Sequence, residues 1–189
     1  MKIILASASP RRQEIMTLGG WDYEVKVSRA EEEIPKEELD CLTPSEQVEK
    51  LATCKARDVY QQYAEEEDVL VVGADTVVSV DGCVLGKPSS REDAVSMLKK
   101  LSGKTHQVYT GVCLMGNRKE KIFRCLTEVC FYEMTDEKID AYVESGECYD
   151  KAGAYAIQGG AAKFIREIKG DYFNVVGLPL SRLYHELTE

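Results

Sequence analysis

The stretch Val69 to Val80 constrains the fold more than any other part of the sequence. It is dense in β-branched apolar residues and reads as a buried β segment interrupted by Gly73-Ala74-Asp75-Thr76. Asp81-Gly82 is then a hairpin turn signal, and Cys83 to Leu85 returns along it. A carboxylate inside so apolar a run is costly to bury unless it is paired, metal-bound or set at a strand end facing a cleft. Asp75 could instead be a turn residue bonding its own backbone. The functional reading is favoured because apolar residues continue on both sides, and Gly73-Ala74 would leave room for a ligand to approach the backbone.

The flanking sequence supplies partners for that segment. Lys2 to Ala6 reads as a short strand running into Ser7-Ala8-Ser9-Pro10-Arg11-Arg12, with Ser9 as N-cap, Pro10 in the first helical position and Gly19-Gly20 as a stop. A strand is expected at Tyr23 to Val27. An acidic loop, Glu31-Glu32-Glu33, follows, and Pro35 is expected to end any regular element. Thr43-Pro44-Ser45-Glu46 is a capping box that starts a long helix toward Tyr63, along which Val48, Leu51, Ala52 and Val59 recur at helical spacing. Ser90 can cap a helix that Gly103 terminates. Thr105 to Met115 and Lys121 to Tyr132 alternate like a long hairpin about Gly116-Asn117-Arg118. A helix at Asp136 to Ser145, a Gly-rich loop around Gln158, a strand pair around Lys169-Gly170-Asp171 and a short final helix complete the expectation. No repeat or linker divides the chain, so residues 1–189 read as a single domain, of α/β class with a mixed sheet.

Composition narrows the partners. Among 189 residues, 24 Lys+Arg stand against 33 Asp+Glu, a formal net charge of −9, which argues against a nucleic-acid partner held by its phosphate backbone. A small phosphorylated ligand needs only a local cluster of cations. The seven cysteines are odd in number and lack CxxC spacing, and there are only two histidines; reduced, mostly buried thiols fit better than a zinc site or a disulfide framework. Ile3-Ile4-Leu5-Ala6 is too short for a signal h-region, and no apolar run reaches the ~18 residues a membrane span needs. No membrane contact and a cytosolic location are the expectation.

Four segments could carry chemistry. The helix start at Ser7 to Arg12 offers amide N–H groups, the positive dipole end and guanidinium forks that suit phosphate oxygens. Taken alone it reads equally as a capped helix with two solvated arginines, and this plainer reading is favoured; the chain has no GxxxxGK[ST] loop. Asp75 is the second candidate. Lys87 in Gly86-Lys87-Pro88, like Lys55 in Leu51-Ala52-Thr53-Cys54-Lys55-Ala56, is by itself no more than a lysine of a kind usually solvated. Asp150 to Gly160 is rich in small residues that suit a flat ligand, and Gln158 offers both donor and acceptor. Neither GxSxG nor HExxH is present, which disfavours the hydrolases built on them.

In order along the chain these segments resemble one family. Ser-Ala-Ser-Pro-Arg-Arg at 7–12, Leu-Ala-x-x-Lys-Ala at 51–56, Gly-Ala-Asp-Thr-Val-Val at 73–78 and Gly-Lys-Pro at 86–88 are similar to the Maf nucleotide pyrophosphatases. Residues 101–108, 150–159 and 175–180 extend the likeness to nearly the whole chain. The resemblance implies an inosine-triphosphatase-like α/β fold with a cleft between two lobes, a homodimer, and hydrolysis of a nucleoside triphosphate to the monophosphate and pyrophosphate. Arg12, Thr76 and Gln158 resemble the branch acting on dTTP and UTP rather than the one acting on 7-methyl-GTP. The family's acidic metal-site residue falls in Glu31-Glu32-Glu33 and is assigned to Glu32, with Glu33 the fallback.

The implied chemistry suits the residues. Attack on an α-phosphorus requires neutralised phosphates, an oriented water and a stabilised leaving pyrophosphate. Arg11, Arg12, Lys55 and Lys87 are expected to supply the positive charge, with Ser7 in the same substrate-binding set. Gln158 is expected to read the base, with Arg12 and Thr76 shaping that end, and Asp75 is expected to accept a proton from water. Glu32 and Asp75 are hard oxygen ligands suited to Mg²⁺ or Mn²⁺. Two alternatives stand beside this reading: the same chemistry on a purine or modified nucleotide, and a nucleotide-binding regulator of cell division without turnover.

Overall fold

The computed structural model describes residues 1–30, 34–63, 65–66, 68–116 and 119–188. Its opening is strand, tight loop, helix: β1 (Lys2–Leu5), α1 (Pro10–Leu18) and β2 (Tyr23–Val25), with Pro10 in the first turn of α1. Ser9 occupies the N-cap position, yet its side chain makes no capping bond; its N–H instead donates to Ser7 Oγ at 3.3 Å. Pro35 does not end a regular element. It precedes a five-residue helix that the sequence reading missed, α2 (Lys36–Asp40).

The long helix α3 (Pro44–Tyr60) starts where the capping box requires. Thr43 N–H donates to Glu46 Oε2 at 2.8 Å, and Glu46 N–H to Thr43 Oγ1 at 3.3 Å. Its last turn tightens to a 3₁₀ turn over Gln61–Tyr63. Next comes β3 (Val69–Val80), a twelve-residue strand with no interruption. Gly73 to Thr76 keep extended pairing geometry, so the turn reading of Asp75 is wrong. β4 (Cys83–Leu85) folds back antiparallel on β3 across Asp81 and Gly82, whose φ values of 50° and 78° are those of a tight hairpin turn.

The remaining elements are α4 (Arg91–Leu101), β5 (Thr105–Gly116), β6 (Lys119–Phe131), α5 (Asp136–Glu144), β7 (Ile165–Lys169), α6 (Tyr172–Val176) and α7 (Leu180–Thr188). Ser90 accepts the Asp93 N–H and Thr135 the Lys138 N–H, capping α4 and α5. The expected second strand after Gly170 is the short helix α6; Asp171 Oδ1 accepts the Phe173 N–H there, diverting the chain from the sheet. Seven strands form one mixed sheet in the order β2-β1-β3-β5-β6-β7, with β4 on β3. β1 is parallel to β2 and β3, and β7 is antiparallel to β6.

Contacts divide the chain into two compact units, Met1–Asp75 with Thr110–Cys125 and Gly177–Glu189, and Thr76–Tyr109 with Leu126–Val176. In the first, Ala52, Ala56 and Val59 of α3 pack on Ile4, Val69, Val71, Cys113 and Met115. Of the seven cysteines only Cys113, Cys130 and Cys148 are buried, fewer than expected. No helix among the described residues is long and apolar enough to cross a membrane.

The second unit has an aromatic centre. His106 is fully buried, edge-on to Phe131 and Tyr155, and its Nε2 lies 2.8 Å from Tyr155 Oη. Among the described residues its Nδ1 has no partner. Burial lowers the imidazole pKa from 6.5 to about 4. Below about pH 6.5 the unfolded chain therefore takes up a proton that the folded chain refuses until about pH 4, and stability falls through that window. Urea unfolding at about pH 7 and about pH 5 should differ by about 2 kcal/mol, a difference abolished in His106→Gln. The carboxylates with lowered pKa, Glu46, Glu92, Glu137 and Glu186, lose their contributions at lower pH, below their ordinary 4.5.

Candidate active site

The chemistry of the first unit centres on β3 and α3. An alanine Cβ at Gly73 would lie 2.3 Å from Ala52 O and 2.8 Å from Ala56 N, so the backbone of α3 rests directly on the strand. The gap expected there for a ligand is filled by the helix. Gly111 of β5 is a second seat, where a Cβ would lie 2.4 Å from Val48 O. Asp75 is two residues beyond Gly73 and so on the same face of β3. It meets Lys55, whose Nζ donates to Asp75 Oδ1 at 2.8 Å. Lys55 is only 8% exposed, and each charge compensates its partner's loss of water. Asp75 and Thr76 are half-buried where Ala74 and Val77 are buried, so the strand opens toward solvent at the carboxylate.

The segment after β1 continues alongside β3, with Ala6 N–H donating to Val72 O at 2.9 Å. Ser7, next along, is buried. Arg12 donates from Nη1 to Ser7 Oγ at 3.1 Å and from Nε to Gly177 O at 2.8 Å. Its guanidinium thus ties α1 to the segment before α7, a structural duty that the sequence reading did not foresee. Arg11 is half-buried on the first turn of α1. Glu32 and Glu33 lie outside the described residues.

In the second unit, Thr76 is half-buried on β3, Lys87 is exposed just past β4, and the following Pro88 is buried. Gly153 N–H donates to Gly86 O at 3.0 Å, joining the Lys87 segment to the loop that carries Gln158. Gln158 is exposed, whereas residues 153–157 before it are buried. Two 3₁₀ turns, Ala152–Ala154 and Gly160–Phe164, flank it. The sequence reading overlooked Tyr142 and Glu147, which bond this loop; neither stands in a spacing that marks it.

A mixed α/β chain that joins a helix lysine to a carboxylate on a central strand and sets two arginines at the first turn of another helix is the class that fold and site define. The model of the family described as Maf-like protein matches residues 2–189, and the chain belongs to that family. It is 49% identical over 188 residues to the dTTP/UTP pyrophosphatase of Bacillus anthracis (strain CDC 684 / NRRL 3495), covering 100% of this chain and 95% of that one. It is 46% identical over 181 residues to the dTTP/UTP pyrophosphatase of Bacillus pumilus (strain SAFR-032), covering 96% and 92%. Among solved structures, a nucleoside-triphosphatase / dITP/XTP pyrophosphatase from Mycobacterium abscessus aligns over 69% of this chain and 74% of that one, with a TM-score of 0.42 and 15% identity.

Proposed function

We propose that this chain is a nucleoside triphosphate pyrophosphatase that hydrolyses dTTP and UTP to the nucleoside monophosphate and pyrophosphate. The observation that carries the reading is the pair between Lys55 of α3 and Asp75 of β3, in a family member whose likeness to relatives named dTTP/UTP pyrophosphatase runs the length of the chain. In the reaction a water oxygen bonds to the α-phosphorus, the bridge from that phosphorus to the β-phosphate oxygen breaks, and pyrophosphate leaves. Asp75 accepts the proton of the attacking water, and Lys55 holds the carboxylate in place. Arg11, Arg12 and Lys87 offset phosphate charge, with Ser7 keeping the Arg12 guanidinium in orientation.

A divalent cation fits this donor set. Asp75 is a hard oxygen ligand on a strand that opens toward solvent. That suits Mg²⁺ or Mn²⁺, which takes one or two carboxylates and completes its shell with water and substrate phosphates. Asp75, with Glu32 as the second carboxylate, would hold it, and the bound cation would supply charge neutralisation at the phosphates.

Gln158 matches the N3–H donor and O4 acceptor of uracil or thymine, while cytosine presents the opposite pattern. An unmatched polar edge costs on the order of 1–3 kcal/mol, roughly ten- to hundred-fold. With Mg²⁺, dTTP and UTP should show kcat/KM above CTP, ATP and GTP by that factor, and Gln158→Ala should narrow the gap. Excess chelator should abolish turnover while the melting temperature without nucleotide stays put. A parent enzyme that prefers GTP or a methylated purine would refute the base assignment, and one that turns over no triphosphate would favour the ligand-sensing regulator.

A further inference from the structure

The loop around Gln158 is pinned on both sides by two side chains from one neighbouring segment. Ala156 N–H donates to Tyr142 Oη at 3.2 Å, and Gly160 N–H donates to Glu147 Oε2 at 2.8 Å. Gln158 stands midway, two residues from each pinned amide. The Glu147 carboxylate lies so close over the loop that a Cβ on Gly159 would be 1.3 Å from its Oε1. Glu147 is itself held, its N–H donating to Ser145 Oγ at 3.4 Å and its carbonyl accepting from Lys151 Nζ at 3.2 Å. On the inner side of the loop, Tyr155 Oη meets His106 Nε2.

We propose that Glu147 is a positioning residue for recognition of the base. It touches no reacting atom; it sets the backbone from which Gln158 projects, and through it the preference among pyrimidines. The proposal rests on the reading of Gln158 as the group that meets the base. A carboxylate bonded to an amide is stronger than a neutral pair, so one side chain can fix the exposed turn at Gln158 between the buried residues 153–157 and the buried Ala161. Without it the loop must be ordered when nucleotide binds, and that cost falls on binding rather than on the chemical step.

Glu147→Ala and Glu147→Gln are measured beside Gln158→Ala for kcat and KM on dTTP, UTP and CTP, with amide hydrogen exchange of residues 156–161. Glu147→Ala should raise KM for dTTP and UTP about ten-fold, shrink the preference over CTP and speed exchange of the loop, with kcat falling less than about two-fold. Glu147→Gln keeps an acceptor and should recover most of the loss, which also keeps the test decisive if the alanine variant fails to fold. Parent-like KM, preference and exchange in both Glu147 variants would overturn the proposal. A kcat loss that tracks a falling melting temperature, with KM unchanged, would overturn it equally. If Gln158→Ala alters the preference and the Glu147 variants do not, the base-reading assignment survives and the proposal fails. If the Glu147 variants alter it and Gln158→Ala does not, Glu147 acts on the preference by a route other than Gln158, and the proposal is overturned together with the base-reading assignment.

Discussion

Asp75→Asn should lower kcat/KM on dTTP by about 10²–10⁴-fold, the usual range for loss of a general base, and the protein should stay folded. The substitution preserves shape and removes both the charge and the proton-accepting oxygen. It also leaves Lys55 Nζ, now 2.8 Å from a carboxylate oxygen, beside a neutral amide while only 8% of the residue is exposed. Losing that partner should cost stability about 1–3 kcal/mol, inside the margin of roughly 5–15 kcal/mol that a domain typically has. A second substitution separates the two effects. Asp75→Asn with Lys55→Met removes the ammonium that Asp75 compensated along with the base, so part of the lost stability should return while turnover stays at the floor. Circular dichroism, urea unfolding and pyrophosphate release on the parent and the two variants make the check. A folded Asp75→Asn protein with near-parent kcat/KM would reduce Asp75 to a structural partner of Lys55.

Much of this arrangement was legible in the sequence, and the failures share a cause. The capping box, the hairpin at Asp81-Gly82 and the Ser90 cap are local, because their hydrogen bonds close within a few residues. Asp75 was recognised as anomalous from its neighbours alone. Lys55 is ambiguous by residue type alone, yet Val48, Leu51, Ala52, Lys55 and Val59 share one helical stripe, and that spacing turns the lysine inward. At Gly73 the sequence shows that room exists but not what fills it; the backbone of α3 does. Gly73-Ala74-Asp75-Thr76 reads in sequence as an interruption of β3, whereas the strand runs through it and Gly73 is there for close approach. Arg12 and Glu147 act through carbonyl and amide groups distant along the chain, Gly177 O and Gly160 N, and no residue pattern announces such bonds.

Gly73→Ala should be among the most damaging single-methyl additions to this protein. Its Cβ would meet Ala52 O at 2.3 Å and Ala56 N at 2.8 Å, and both are backbone atoms of a regular helix that no rotamer change can move aside. The relief available is for α3 to lift off β3, which loosens the packing of Ala52, Ala56 and Val59 on Ile4 and Val71. Overpacking of this kind costs about 1–3 kcal/mol, and the rigid neighbour places it at the upper end. At about 2–4 °C per kcal/mol for a chain of this size, the melting temperature should fall by roughly 5–10 °C. Gly86→Ala is the control: nothing lies within 4 Å of a Cβ there, and its stability should stay within about 0.5 kcal/mol of the parent. Gly111→Ala presses the same helix through Val48 O at 2.4 Å. Once one substitution has raised α3, the second meets less resistance, so the double variant should lose less stability than the two single losses added together. Lys55 travels with α3, so the folded fraction of Gly73→Ala should also lose turnover, as its Nζ is drawn from Asp75. Parent-like stability in Gly73→Ala, or strictly additive losses in the pair, would mean that α3 is not seated on the sheet through these two glycines.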